Sequence, residues 1–174
     1  MATILFDLDG VLIRSRSTDK TFLWQADLRA ELGVGPSVTA ALFRQPGWSE
    51  ILCGRQDVRD HLRTVFAAAR VPCSPDAFVA FWLAHDLHWH TGVLRLAARL
   101  RAAGHRLFVA TNQEALRSAH IRRQPAVAAL FEDVVTSADL GVCKPSAAFY
   151  TAVRRRLPRA SEAEYLESEM RRLL

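Results

Sequence analysis

The sequence predicts an α/β protein, a parallel sheet flanked by helices, with a helical insertion behind the first strand. Three observations predict it. Short β-branched and aromatic runs end in polar loops, stretches with helical spacing alternate with those runs, and a long strand-free stretch separates the first run from the second.

Residues 3–6, Thr-Ile-Leu-Phe, read as a buried strand that delivers Asp7 and Asp9 to a loop at its carboxyl end. Between residues 14 and 90 no strand pattern is visible. Helical spacing recurs over 22–32, 58–69 and 75–87, with Pro36, Pro46-Gly47 and Pro72 marking breaks. That is too long for a simple crossover, so the stretch reads as an inserted helical unit able to close over a ligand site.

Residues 94–103 carry apolar positions at helical spacing, Gly104 stops that helix, and 107–110 form the second strand. A helix from Gln113, a third strand at 133–136 and a helix opened by Lys144-Pro145 complete the alternation. Residues 1–13 and 91–174 are therefore expected to form the core and 14–90 the insertion. Parallel sheets bind ligands beyond the carboxyl ends of their strands, so Asp7, Asp9, Thr111, Asn112 and Lys144 are expected to converge there.

Composition excludes several function classes. The chain of 174 residues is half apolar and 24% charged, without low-complexity tracts, as expected of a globular protein with one well-buried core. Its net charge is +5, but the arginines are scattered through every segment, so nucleic acid is not an expected partner. The one cluster, Arg154 to Arg156, reads as a solvated helix face near a C-terminal end, where cations are favoured. The N-terminus lacks the basic start and apolar run of an export signal, and charge interrupts every apolar run short of the roughly 20 residues that a membrane span needs. Cys53, Cys73 and Cys143 form an odd, widely spaced set and read as buried fillers. A reduced, cytoplasmic setting without membrane association is expected.

Phe6-Asp7-Leu8-Asp9-Gly10-Val11-Leu12 resembles the first motif of the haloacid dehalogenase superfamily, Ala110-Thr111-Asn112 its second, and Lys144-Pro145 its third. The motifs stand in the family's order, and the resemblance runs to about Leu157. It implies a Rossmann-like parallel core with an inserted α-helical cap. It also implies magnesium-dependent hydrolysis of a small phosphate monoester through an aspartyl phosphate. Thr111-Asn112-Gln113, Gly54-Arg55 and Asp139-Leu140-Gly141 resemble a soluble bacterial branch that includes small sugar-phosphate phosphatases and the phosphatase domain of epoxide hydrolases.

The resemblance assigns Asp7 as the nucleophile, which splits hydrolysis into formation and breakdown of a covalent intermediate. Asp9 would protonate the leaving oxygen and later activate water, and a bend at Gly10 would let both acids flank the phosphorus. Thr111 and Asn112 would bind phosphate oxygens beside a helix start, and Lys144 would balance the charge of nucleophile and phosphoryl group. Dehalogenating members attack carbon and need no acid at the position of Asp9, so its presence favours phosphate transfer.

One part of the pattern is not visible. The family's fourth motif is an apolar strand ending in one or two acids, at least one of which binds magnesium. Residues 161–174 instead show helical spacing, with Ser161 and Glu164 as a capping box and Arg171 and Arg172 in the last turn. Glu167 and Glu169 read as helix-surface acids. This predicts a core truncated at its C-terminal side. Magnesium would be held weakly by the Asp7 carboxylate and the Asp9 carbonyl, with little or no metal-dependent turnover. It also predicts an unpaired edge on the strand carrying Asp7, to be covered by the C-terminal helix, a second copy or a partner. A catalytically silent or truncated relative that binds a phosphorylated ligand or a protein partner is the alternative to an active phosphatase.

Two further groups stand out. His85, His88 and His90 lie beside Trp82 and Trp89, and they read as packing at the hinge between insertion and core rather than as a metal site. Trp24, Trp48 and the residues from Phe78 to Trp82 read as the insertion's own core.

Overall fold

The computed structural model describes residues 1–44, 47–157 and the backbone of 163–166. In chain order the elements are β1 (Thr3–Phe6), a 3-10 turn (Leu23–Gln25), α1 (Leu28–Leu32), α2 (Pro36–Leu42), α3 (Gly47–Leu52), α4 (Val58–Ala69) and α5 (Pro75–His85). They continue with α6 (Thr91–Ala102), β2 (Arg106–Thr111), α7 (Ala115–Arg122), α8 (Pro125–Leu130) and β3 (Asp133–Thr136). The last are α9 (Ser137–Leu140), α10 (Ala147–Arg156) and β4 (Ala163–Leu166). The four strands form one sheet in the order β3-β2-β1-β4, with every neighbouring pair parallel.

The sheet is apolar on both faces because helices cover both. Ile4, Phe6, Leu107, Val109 and Val134 pack with Val93 and Ala97 of α6 and Ile121 of α7. The alternate residues Leu5, Phe108, Ala110 and Val135 pack on Phe149 and Val153 of α10. Strand periodicity thus sends neighbouring residues into different clusters. A third cluster lies within the segment expected to be an insertion, where Trp24, Leu28, Leu62, Phe66, Phe78 and Trp82 are all buried, and Leu116 of α7 packs against it.

β4 corrects the sequence reading. Residues 163–166 form a strand, not the start of a helix, and pair with β1 in the register Thr3↔Ala163 to Phe6↔Leu166. β1 therefore lies inside the sheet between β2 and β4, and the expected bare edge is not there. The physical reason is tertiary. The helical spacing of Tyr165, Leu166 and Met170 is a local preference, whereas the open side of β1 offers a row of backbone donors and acceptors that a strand satisfies. Ser161, Glu167, Glu169 and the rest of the expected helix lie outside the described residues.

A second correction concerns the cysteines. Cys53 and Cys143, 90 residues apart in sequence, form a disulfide with Cα atoms 5.9 Å apart, and Cys73 is unpaired. The pairing has no signal in the spacing because docking of the insertion onto the core creates it. At the same face the Ser137 hydroxyl donates to the Leu52 carbonyl at 2.6 Å, and Arg55 Nη1 donates to the Gly141 carbonyl at 3.0 Å. Gly54 is required there: its φ is +68°, and a Cβ would lie 2.6 Å from the Ala138 carbonyl oxygen.

The two chain crossings between insertion and core pair with each other. The Arg14 N–H donates to the His88 carbonyl and the His90 N–H to the Leu12 carbonyl, each at 2.8 Å. His90 also caps α6, with Nδ1 accepting from the Val93 N–H, and His85 Nδ1 lies 2.9 Å from the Phe81 carbonyl oxygen. Among the described residues no group of three or more His, Cys, Asp or Glu is arranged to hold a metal, and no helix is long and apolar enough to cross a membrane. The helix expected to open at Lys144-Pro145 begins at Ala147 with Ser146 as its cap, and Lys144 and Pro145 lie in the loop before it, joined by a cis peptide bond. Arg154, Arg155 and Arg156 occupy its exposed last turn.

Candidate functional site

Asp7 follows directly on β1, and its side chain meets two partners. Oδ1 accepts from the Leu8 N–H at 2.7 Å, and Oδ2 lies 2.8 Å from Lys144 Nζ. The lysine is held by its own backbone. Asn112 Oδ1 accepts from the Lys144 N–H at 2.8 Å, and Asn112 Nδ2 donates to the Lys144 carbonyl at 3.1 Å. Asn112 therefore clamps the loop that carries Lys144 and fixes that cation over the end of β1. Thr111, the last residue of β2, is buried, and its hydroxyl oxygen accepts from Gln113 Nε2 at 3.1 Å. Asp7, Asn112, Thr111 and Lys144 thus meet at the carboxyl ends of adjacent strands.

Asp9 stands in a different setting. Arg117 of α7 grips its carboxylate with two hydrogen bonds, Nη1 to Oδ2 at 2.8 Å and Nη2 to Oδ1 at 3.0 Å. The Ser15 hydroxyl donates to Oδ1 at 2.8 Å, and Gln113 Nε2 donates to Oδ2 at 2.5 Å. Desolvation pushes the Asp9 carboxyl up, but the Arg117 charge and the hydrogen bonds from Arg117, Ser15 and Gln113 outweigh it and hold the group at about 2. The side chain is still 37% exposed, so water screens the pair on one side.

Arg117 is the hub of this cluster. Its side chain is 7% exposed, and its Nε donates to Asp86, which is 4% exposed at the C-terminal end of α5. Burial works against the guanidinium charge, yet Asp9 and Asp86 raise the group above its ordinary value, so the arginine is locked in its charged form. Glu114 sets the direction of α7 by accepting from the Leu116 N–H at 2.7 Å and from the Arg117 N–H. Burial pushes the Glu114 carboxyl up, although these two backbone bonds and the Arg117 charge draw it down.

The sequence signals pointed to Asp7, Asp9, Thr111, Asn112 and Lys144 but not to Arg117, Asp86 or Ser15. Gln113 and Arg117 stand four residues apart at the start of a helix, a spacing that turns both toward one side. That was the one legible hint. Asp86 has no local signal, because only the fold of the insertion brings it to α7.

A cavity of about 480 Å³ opens against Asp9, Asn112 and Gln113 and runs beneath the insertion, where Trp24, Trp48 and Trp82 line it. Magnesium needs oxygen donors, and one or two carboxylates with water suffice. The Asp7 carboxylate and the Asp9 carbonyl are oxygen donors of that kind, whereas both Asp9 carboxylate oxygens are taken by Arg117, Ser15 and Gln113.

A model of the haloacid dehalogenase-like hydrolase family matches residues 1–166. Among solved structures, the HAD family enzyme bt-2542 from Bacteroides thetaiotaomicron, in complex with magnesium and inorganic phosphate, is similar with a TM-score of 0.69 at 17% identity. That match covers 89% of this chain and 78% of that one. L-2-haloacid dehalogenase from Xanthobacter autotrophicus, with chloropropionic acid covalently bound, gives a TM-score of 0.65 at 19% identity, covering 95% of this chain and 69% of that one. No curated protein matches the sequence. The family match over nearly the whole chain, with the three motifs assembled at adjacent strand ends, shows that this protein belongs to the haloacid dehalogenase-like hydrolases.

Proposed function

We propose that this protein is a magnesium-dependent phosphatase that hydrolyses a small phosphate monoester through an aspartyl phosphate on Asp7. The observation that carries the reading is the Asp7 carboxylate and the Lys144 ammonium at 2.8 Å, placed at the end of β1 with a second acid, Asp9, two residues away.

The chemistry follows from that placement. An Asp7 oxygen attacks phosphorus, the bond to the leaving oxygen breaks, and Asp9 gives that oxygen a proton. Water then attacks the aspartyl phosphate, Asp9 takes its proton, and the bond between phosphorus and Asp7 breaks to release inorganic phosphate. Lys144 and the Thr111 hydroxyl stabilise the phosphoryl oxygens during both steps. Asn112 binds and orients through its hold on the lysine loop. Asp7 and Asp9 would hold magnesium, which adds positive charge beside the phosphoryl group when bound. β4 ends opposite Phe6, one residue before Asp7.

The acid at position 9 separates this reading from dehalogenation, in which the leaving halide needs no proton. A specific observation favours a second reading, a silent relative that binds a phosphorylated ligand without turning it over. Asp9 held at about 2 by Arg117 carries no proton to give at neutral pH, so Arg117 must release it before the first step. Assay of the purified protein against p-nitrophenyl phosphate, a sugar-phosphate panel and 2-chloropropionate, with and without magnesium, decides among these. Magnesium-dependent phosphate release that Asp7→Asn abolishes is the expected result. Halide release without phosphate release would favour dehalogenation, and no turnover would favour the silent relative.

A further inference from the structure

We propose that the leaving group of the substrate is a planar aromatic ring, so that the enzyme acts on aryl phosphates rather than on sugar phosphates. The proposal rests on the reading of Asp7 and Asp9 as a phosphoryl-transfer site and names the class of molecule that site takes.

The cavity meets the charged cluster at Asp9 and Asn112 and not at Asp7 or Lys144. It therefore opens on the side of the acid that protonates the leaving oxygen, and the leaving group must occupy it. Its far wall is made by five aromatic rings from the insertion, Phe22, Trp24, Phe43, Trp48 and Trp82. Trp24 and Trp82 are buried and anchor the wall, with centroids 5.9 Å apart. Phe43 and Trp48 are only partly buried and stand perpendicular to each other at 4.7 Å. Both rings line the cavity while each also packs on Trp82 at 6.4 Å.

Most polar side chains of the same cavity already hold partners; Arg14 and His90 also line it, and His90 Nδ1 accepts from the Val93 N–H. Asp9 and Asp86 are both held by Arg117, and Ser15 donates to Asp9. Gln113 donates to Asp9 and Thr111, Asn112 holds the Lys144 peptide group, and Arg16 donates to the Lys20 carbonyl at 2.6 Å while lying 3.7 Å above the Phe22 ring. A sugar would bury several hydroxyls here, and most of them would need a partner taken from one of these pairs, at a net loss. An aryl group needs none. The volume also suits a small ligand, since binding cavities run from about 300 to 1,000 Å³.

The test is isothermal titration of the protein, in magnesium, with phenylphosphonate and with methylphosphonate, which share the phosphoryl headgroup and cannot be hydrolysed. The wild type is expected to bind phenylphosphonate roughly tenfold more tightly, the size of one good aromatic contact. Trp48→Leu and Phe43→Leu keep apolar volume in the wall and are each expected to remove most of that preference. Equal or undetectable affinity for the two phosphonates overturns the proposal, as does a preference that survives both substitutions. Turnover separates it from the reading beneath it. If glucose 6-phosphate is hydrolysed more efficiently than phenyl phosphate, the phosphatase reading stands and the aryl proposal falls. If phenylphosphonate is preferred but no monoester is hydrolysed, the aryl pocket stands and the phosphatase reading falls.

Discussion

Asp7 and Asp9 sit two residues apart on one loop, yet their surroundings are opposite in design. At the Asp7 end a single lysine, placed by Asn112 through its backbone, faces the carboxylate at 2.8 Å. At the Asp9 end a buried arginine grips both carboxylate oxygens and is itself gripped by Asp86 from the insertion. On the proposed reading, the first arrangement presents a nucleophile and the charge that stabilises its product. The second links the acid to Asp86 at the end of α5 through Arg117. Trp82, whose ring centroid lies 6.0 Å from the Arg117 guanidinium, extends that link into the aromatic wall.

The largest expected effect breaks the Asp7 side. Asp7→Asn removes the nucleophile, and turnover of p-nitrophenyl phosphate should fall by about 10³-fold or more, read as kcat at saturating magnesium. A substrate-binding signal that persists in the variant would place the loss in chemistry rather than in affinity.

Next in size is the arginine hub. Arg117→Met leaves Asp9 and Asp86 without their shared cation, and breaking a buried pair in this way costs about 3 to 5 kcal/mol, measurable as a drop in the urea midpoint at pH 7. The pH dependence sharpens the test. The folded-state value of Asp9 lies below its ordinary one, at about 2, so its stabilising contribution is present above about pH 4 and is lost as the pH falls toward 2. Wild type should therefore lose stability across that window, whereas Arg117→Met should lose less or gain, because protonation relieves its two unpaired acids. Parallel decline of both proteins would contradict the clamp.

Lys144→Met should lower kcat by about 10² to 10³ with a smaller change in KM, since the ammonium faces charge that grows in the transition state. A change confined to KM would make the lysine a binding group only.

The core of this fold was legible because both its signals are local. The four-residue runs at 3–6 and 133–136, rich in β-branched residues, coincide with β1 and β3, and the helical spacing over 58–69 coincides with α4. Asp7, Asp9, Thr111 and Asn112 could be grouped because they lie at or just past the ends of strands whose pattern is clear, and Lys144 because Lys144-Pro145 follows the third strand in the motif order. What was hidden depends on distance in the chain. β4 was misread because Tyr165, Leu166 and Met170 fit a helix, and only the waiting side of β1 decides otherwise. Arg117 carries no mark of its partnership with Asp86, 31 residues away, until the insertion folds back over α7. The Cys53–Cys143 bond, spanning 90 residues, was out of reach for the same reason.

The most direct measurement of the central claim is mass analysis of peptides from an acid-quenched reaction with p-nitrophenyl phosphate and magnesium. One phosphoryl group on the peptide carrying Asp7 is predicted, and it should be absent from Asp7→Asn. Magnesium-dependent phosphate release that continues in Asp7→Asn, or a phosphoryl group found on a different residue, would contradict it.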